Sequence, residues 1–181
     1  MKTEEAYRIL NEAELLIGEG EIVSAIERLA AEITARLREL NPVVICIMNG
    51  GLIFCGQILT RLVFPLTVDY VHVTRYGCET SGGELNWLVR PQSDLRGRTV
   101  LLVDDIFDEG LTLSALAGFC RERGAREVLS AALLKKRRPR DSSVVSELDF
   151  KGFEVDNRFV FGYGLDYKGY WRNAPGIYAV R

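Results

Sequence analysis

Apolar and polar positions along the chain follow two spacings, and the changes between them mark the elements. Residues 3–17 and 21–40 place apolar side chains three and four apart, which predicts two amphipathic helices separated by Gly18-Glu19-Gly20. Ile22, Ile26, Leu29, Ile33 and Leu37 form one face of the second. After Asn41-Pro42, the apolar run 43–48 predicts a strand buried on both faces, and Asn49-Gly50-Gly51 turns it into a helix carrying Phe54, Ile58 and Leu62. Residues 64–73 predict a further strand, with 69–74 and 85–89 able to pair as a hairpin. At 100–103 four apolar residues are stopped by Asp104 and Asp105. A short loop, 106–110, then leads to a helix over 111–123 whose apolar face is Leu113, Leu116, Ala117 and Cys120. Strands are also predicted at 127–134 and 159–161. Strand, helix and strand alternate, which predicts an α/β fold with a central, mostly parallel sheet flanked by helices.

Composition narrows the class. The 181 residues, 48% of them hydrophobic, suffice for one substantial core and suit a single domain. The 23 basic and 25 acidic residues leave a net charge of −2, a balance that argues against nucleic acid or an anionic membrane as partner. Cys46, Cys55, Cys78 and Cys120 show no CxxC spacing, and Cys46 and Cys120 lie in apolar patterns typical of buried free thiols, so a reducing compartment is expected. The N-terminus opens with acids rather than a signal peptide, and no run approaches the roughly 18 apolar residues of a membrane span, so a cytoplasmic location is expected.

The stretch VLLVDDIFDEGLTL, residues 100–113, concentrates the candidate chemistry. In an open parallel sheet, ligands bind beyond the carboxyl ends of the strands, and a helix start offers unpaired N–H groups to a phosphate. Gly110 permits close approach or positive φ, and Thr112 adds a hydroxyl donor. Asp104 and Asp105, acceptor-only when ionised, suit ribose hydroxyls or a metal ion. From the loop alone, a metal or phospho-acceptor site of another doubly wound protein remains open. Gly50 and Gly51 allow a ligand near the backbone or simply form a strand-to-helix turn. His72, the single histidine, is assigned no chemistry. The loop 77–84, with three glycines, reads as mobile. The run Lys135-Lys136-Arg137-Arg138-Pro139-Arg140 is a solvated loop, a nucleic-acid patch, or the source of one lysine that leans into a site.

The loop 100–113 resembles the signature of type I phosphoribosyltransferases, which use 5-phosphoribosyl diphosphate (PRPP), and Asp108 resembles the acid that marks the 6-oxopurine, hypoxanthine-guanine branch. The resemblance extends from about Val43 to the C-terminus, through NRFVFGYGLDYKGYWRNAPG at 157–176. It implies a phosphoribosyltransferase fold with a small hood and a mobile lid loop, divided into N-terminal helices at about 3–40, a core at about 43–150 and a base-binding hood at about 151–181. It implies Mg2+ as cofactor, PRPP and a 6-oxopurine base as partners, and a homo-oligomer, dimer or tetramer.

By residue, the resemblance implies the following roles. Asp108 is catalytic at N7 of the purine. Asp104, Asp105, Asp108, Glu109, Gly110, Leu111 and Thr112 bind the ribose and 5′-phosphate of PRPP. Asn49, Gly50, Gly51 and Arg172 meet the diphosphate, and Lys136, Phe159 and Val160 bind the purine. Arg75 and Tyr76 begin the lid, and Asp166 helps hold the metal. Three positions depart from the usual pattern, with Asn49 and Leu111 standing where the family has lysine and Glu109 where it has threonine. The function so implied is purine salvage: transfer of 5-phosphoribosyl to N9 of hypoxanthine or guanine. The alternatives are a xanthine-preferring enzyme and an RNA-binding regulator on the same fold. A metal-dependent phosphatase lacks a nucleophile arrangement around the acids.

Overall fold

The computed structural model describes residues 1–75, 85–137 and 147–181. The elements are α1 (Thr3–Glu12), β1 (Glu14–Ile17), α2 (Glu19–Leu37), β2 (Val43–Met48), α3 (Leu52–Leu59), β3 (Thr67–Arg75), β4 (Leu85–Val89), β5 (Thr99–Phe107), α4 (Leu111–Glu122), β6 (Glu127–Lys136), β7 (Phe150–Val155), β8 (Val160–Phe161) and β9 (Ile177–Ala179). Six strands form the main sheet in the order β4-β3-β2-β5-β6-β7. All its pairings are parallel except β3 with β4. The α/β architecture expected from the sequence is the one observed.

Core packing follows from the apolar runs. Val100 to Val103 of β5 are buried on both faces because helices cover both sides. On one side, Val44, Leu101 and Val103 pack with Ile22, Ile26, Leu29 and Ile33 of α2 and with Phe54 and Ile58 of α3. On the other, Ile45, Val100 and Leu102 meet Leu113, Leu116 and Cys120 of α4. Cys46, Cys55 and Cys120 are buried free thiols, and Cys78 lies outside the described residues.

Several boundaries differ from the sequence expectation. The first predicted helix stops at Glu12, and Glu14–Ile17 is instead a strand antiparallel to β9, with Leu15 opposite Tyr178. A short apolar run serves either period, and a partner from the far end of the chain decided it. β5 does not end at the acid pair. It continues through Ile106 and Phe107, because β6 pairs with it as far as Phe107 opposite Lys135. The strands β7 and β9 were not expected. β7 pairs with β6 in the main sheet, so residues 151–155 of the expected hood segment belong there. The hood is a separate three-stranded sheet, β1-β9-β8.

Candidate active site

The carboxyl ends of β2, β5 and β6 lie side by side in the main sheet, and the hood closes against them. Asp104 and Asp105 lie near the carboxyl end of β5, where the ladder to β6 holds the backbone extended. Asp105 N–H donates to Asp104 Oδ1 at 3.0 Å, and Ile106 N–H donates to Asp105 Oδ1 at 2.8 Å, so each carboxylate is oriented by the next peptide. Burial pushes Asp104 well above the usual carboxylate range, and the neighbouring charge of Asp105 adds to it. Burial raises Asp105 as well, against opposing contributions from Asp104, the Ile106 N–H and Arg172. Hydrogen bonds donated by sugar hydroxyls, or a bound cation, favour the ionised carboxylates and offset this cost on binding.

Beyond the acids, Asp104, Asp105, Asp108, Glu109, Gly110 and Thr112 line a cavity of about 280 Å3. Gly110 caps α4 with φ of +79°, a conformation that other residues adopt rarely, and it aims the helix start at this cavity. Leu111 does not line it and is 41% exposed.

A second cavity, of about 450 Å3, adjoins the first and shares Asp105, Ile106 and Asp108 with it. Its other walls are Lys136 from β6 and Phe159, Val160, Leu165, Asp166 and Lys168 from the hood. Lys136 Nζ lies 3.1 Å from Asp108 Oδ2. Phe159 is 54% exposed and meets Tyr167 edge-on, with centroids 5.5 Å apart. β8 is an edge strand, so one side of the Val160 backbone is not used by its sheet.

The turn after β2 completes the arrangement. The Met48–Asn49 peptide is cis, and Asn49 is exposed. A Cβ on Gly50 would fall 2.1 Å from Asp105 Oδ2, and one on Gly51 would fall 2.8 Å from Val103 O. Gly164, with φ of +109°, brings the hood equally close, since its Cβ would fall 2.2 Å from Gly50 O. Arg172 donates to Gly164 O at 2.6 Å and pairs with Asp166, whose second oxygen accepts Gly169 N–H at 2.7 Å. Asn49, Gly50, Gly51 and Arg172 line neither cavity; Gly50 stands against the Asp105 carboxylate and Gly51 against Val103 O.

The structure therefore gathers Asp104, Asp105, Asp108, Glu109, Gly110 and Thr112 in one place, and Lys136, Phe159, Val160 and Asp166 in the next. Arg75 ends β3 opposite Leu85, and Tyr76 and the expected lid 77–84 lie outside the described residues. Leu165, Ile106 and Lys168 also face the base-sized cavity. No signal in the sequence separated them from their neighbours in the LDYKGY stretch or from the strand core.

Among the described residues, no three His, Cys, Asp or Glu side chains converge as a metal cage. Among the acids that face the cavities, Asp104, Asp105 and Asp166 offer hard oxygen donors. That set fits Mg2+, which keeps several waters and takes one or two carboxylates plus the phosphate oxygens of a substrate.

Residues 17–168 match the family model described as phosphoribosyl transferase domain. The chain is 37% identical over 164 residues to the hypoxanthine-guanine phosphoribosyltransferase of Bacillus subtilis, covering 90% of each chain. It is 34% identical over 163 residues to the hypoxanthine-guanine-xanthine phosphoribosyltransferase of Tritrichomonas foetus, covering 90% of this chain and 88% of that one. A crystal structure of a hypoxanthine phosphoribosyltransferase from Staphylococcus aureus superposes with a TM-score of 0.89 at 26% identity, covering 96% of this chain and 95% of that one. With the acid pair, the helix start and the lysine-acid pair at the strand ends already in place, the chain belongs to the type I phosphoribosyltransferase family, in its hypoxanthine-guanine branch.

Proposed function

We propose that the protein is a purine-salvage glycosyltransferase. It transfers 5-phosphoribosyl from PRPP to N9 of hypoxanthine or guanine with Mg2+ present, giving IMP or GMP and diphosphate. The observation that carries the base assignment is the Lys136–Asp108 pair at 3.1 Å, on the wall of a cavity that also holds an exposed phenylalanine face. An ammonium only donates, so Lys136 matches the O6 carbonyl of a 6-oxopurine and mismatches the amino group of adenine. Asp108 accepts from N7 and holds that proton while N9 forms its bond, a general acid/base role. Phe159 stacks on the ring, and the Val160 backbone meets its edge.

On the PRPP side, Asp104 and Asp105 take the ribose hydroxyls. The backbone of 109–112 and the Thr112 hydroxyl take the 5′-phosphate at the start of α4. Glu109 adds an acid to that loop, so the phosphate is held there by N–H groups rather than by charge. Gly50, Gly51 and Arg172 serve the diphosphate, Arg172 through its planar donor fork. Asp166, together with substrate oxygens, would hold the Mg2+, whose positive charge would favour departure of the diphosphate.

Self-association into a dimer or tetramer belongs to this reading, supported by Val68, Tyr70 and Leu88, which β3 and the edge strand β4 leave about half exposed. So does a cytoplasmic location, where the free thiols stay reduced. No helix among the described residues is long and apolar enough to cross a membrane.

The test is a spectrophotometric assay with Mg2+, PRPP and hypoxanthine, guanine, xanthine or adenine offered separately. Nucleotide from 6-oxopurines and none from adenine is the expected result. No turnover of any base by the folded protein overturns the reading.

A further inference from the structure

Two lysines face the 450 Å3 cavity, and their surroundings differ. Lys136 is paired with Asp108. Lys168 has no carboxylate partner among the described residues; its Nζ lies over the ring of Tyr167, 5.6 Å from the centroid. Asp166, two residues earlier, is engaged by Arg172 and by Gly169 N–H. The same Tyr167 ring abuts Phe159, so the Lys168 ammonium is tethered beside the aromatic face on which a base would stack.

The stem of Lys168 also starts from a fixed point. Its φ is +50°, rare for a residue with a side chain. The turn around it is closed by reciprocal Tyr167–Tyr170 backbone hydrogen bonds of 2.9 and 3.0 Å. A left-handed lysine in a closed turn at the mouth of a ligand cavity is a conformation held by its surroundings.

We propose that Lys168 reads position 2 of the purine and favours a 2-oxo group, which extends the base range of this site to xanthine. The inference rests on the base orientation proposed above. With O6 at Lys136 on β6 and N7 at Asp108 just beyond β5, the opposite C2–N3 edge of the ring faces the hood wall formed by Leu165, Asp166 and Lys168. An ammonium is donor-only. It matches the 2-oxo acceptor of xanthine, and more strongly the anion that xanthine forms on losing a proton. It gains nothing from the C–H of hypoxanthine, and it faces a second donor in the 2-amino group of guanine.

The experiment measures kcat and KM for xanthine, hypoxanthine, guanine and PRPP in the wild type, Lys168→Met and Lys168→Arg. The wild type is expected to convert xanthine. In Lys168→Met, the ratio of kcat/KM for xanthine to that for hypoxanthine is expected to fall about tenfold, through KM, the size of one charge-assisted hydrogen bond at a partly exposed site. Lys168→Arg is expected to keep most of the ratio, because it restores the charge. An unchanged ratio in Lys168→Met overturns the proposal. So does a loss expressed equally with every base or in the KM for PRPP, which would assign Lys168 to the diphosphate. Wild-type turnover of hypoxanthine without xanthine overturns it while leaving the 6-oxopurine reading intact, whereas turnover of no base overturns both.

Discussion

Lys136 Nζ and Asp108 Oδ2 stand 3.1 Å apart, one at the end of β6 and the other just beyond the end of β5. The two strands are neighbours in parallel register, with Phe107 opposite Lys135, so the sheet itself sets the spacing of the pair. Each charge steadies the other before a base arrives, and both residues line the cavity.

Separating the two roles is the first prediction. Asp108→Asn is expected to lower kcat by about 10² to 10⁴ while changing the KM for PRPP little, the usual worth of a positioned acid or base. Lys136→Ala is expected to raise the KM for the purine more than that for PRPP. Because the residues touch, the double variant should lose less than the sum of the two in free energy. Steady-state kinetics with both substrates varied checks all three, and an unchanged kcat in Asp108→Asn removes that residue from the chemistry.

The acid pair predicts a pH-dependent cost of keeping the site empty. Asp104 has its carboxyl raised well above the ordinary value of 3.8 by burial and then by Asp105. In the folded chain it holds its proton at pH values where the unfolded chain has released it, so its contribution to stability is greatest at low pH and is lost as pH rises. Asp104→Asn keeps an oxygen for the Asp105 N–H and removes the titration. In substrate-free protein the variant is expected to melt higher than the wild type at pH 8, with the difference vanishing toward pH 4. Adding PRPP and Mg2+ should raise the Tm of the wild type more than that of the variant. Thermal melts across pH, with and without PRPP, provide the measurement.

The glycine at position 50 is required by space rather than by φ. Its added Cβ would lie 2.1 Å from Asp105 Oδ2 and 2.5 Å from the same carboxyl carbon, so Gly50→Ala must displace Asp105. A displacement on the ångström scale at a ribose-holding group is expected to lower kcat/KM for PRPP by about a hundredfold. The overpacking should cost about 1–3 kcal/mol of stability. Kinetics together with denaturant unfolding separate the two effects.

Trp171 links the N-terminal helix to the diphosphate side of the site. Its indole N–H donates to Ala6 O at 2.8 Å, its ring meets Tyr7 edge-on, and it precedes Arg172. Trp171→Phe keeps an aromatic ring and removes the donor. It is expected to cost about 1 kcal/mol, or about 2–4 °C in Tm for a chain of this size. It should also raise the KM for PRPP more than that for the base. Equal changes in both would make the contact purely structural.

Much of this protein was legible in the chain. Runs such as Val43–Met48 and Val100–Val103 are apolar because both faces of a parallel strand are covered, and that burial is written in one dimension. The DDIFDEG loop is legible for the same reason, since strand, acids, glycine and helix start are consecutive residues and their geometry is local. What the chain did not disclose was set by partners distant in sequence. Glu14–Ile17 is a strand only because Ile177–Ala179 lies beside it, and Phe150–Val155 joins the main sheet through β6. The closeness of Gly50, Asp105 and Gly164, and the placing of Lys168 beside Phe159, are likewise tertiary. Periodicity and local turn chemistry record which face a residue buries. They carry no record of which remote backbone supplies the missing hydrogen bonds, or of which side chains two separate sheets bring to one cavity.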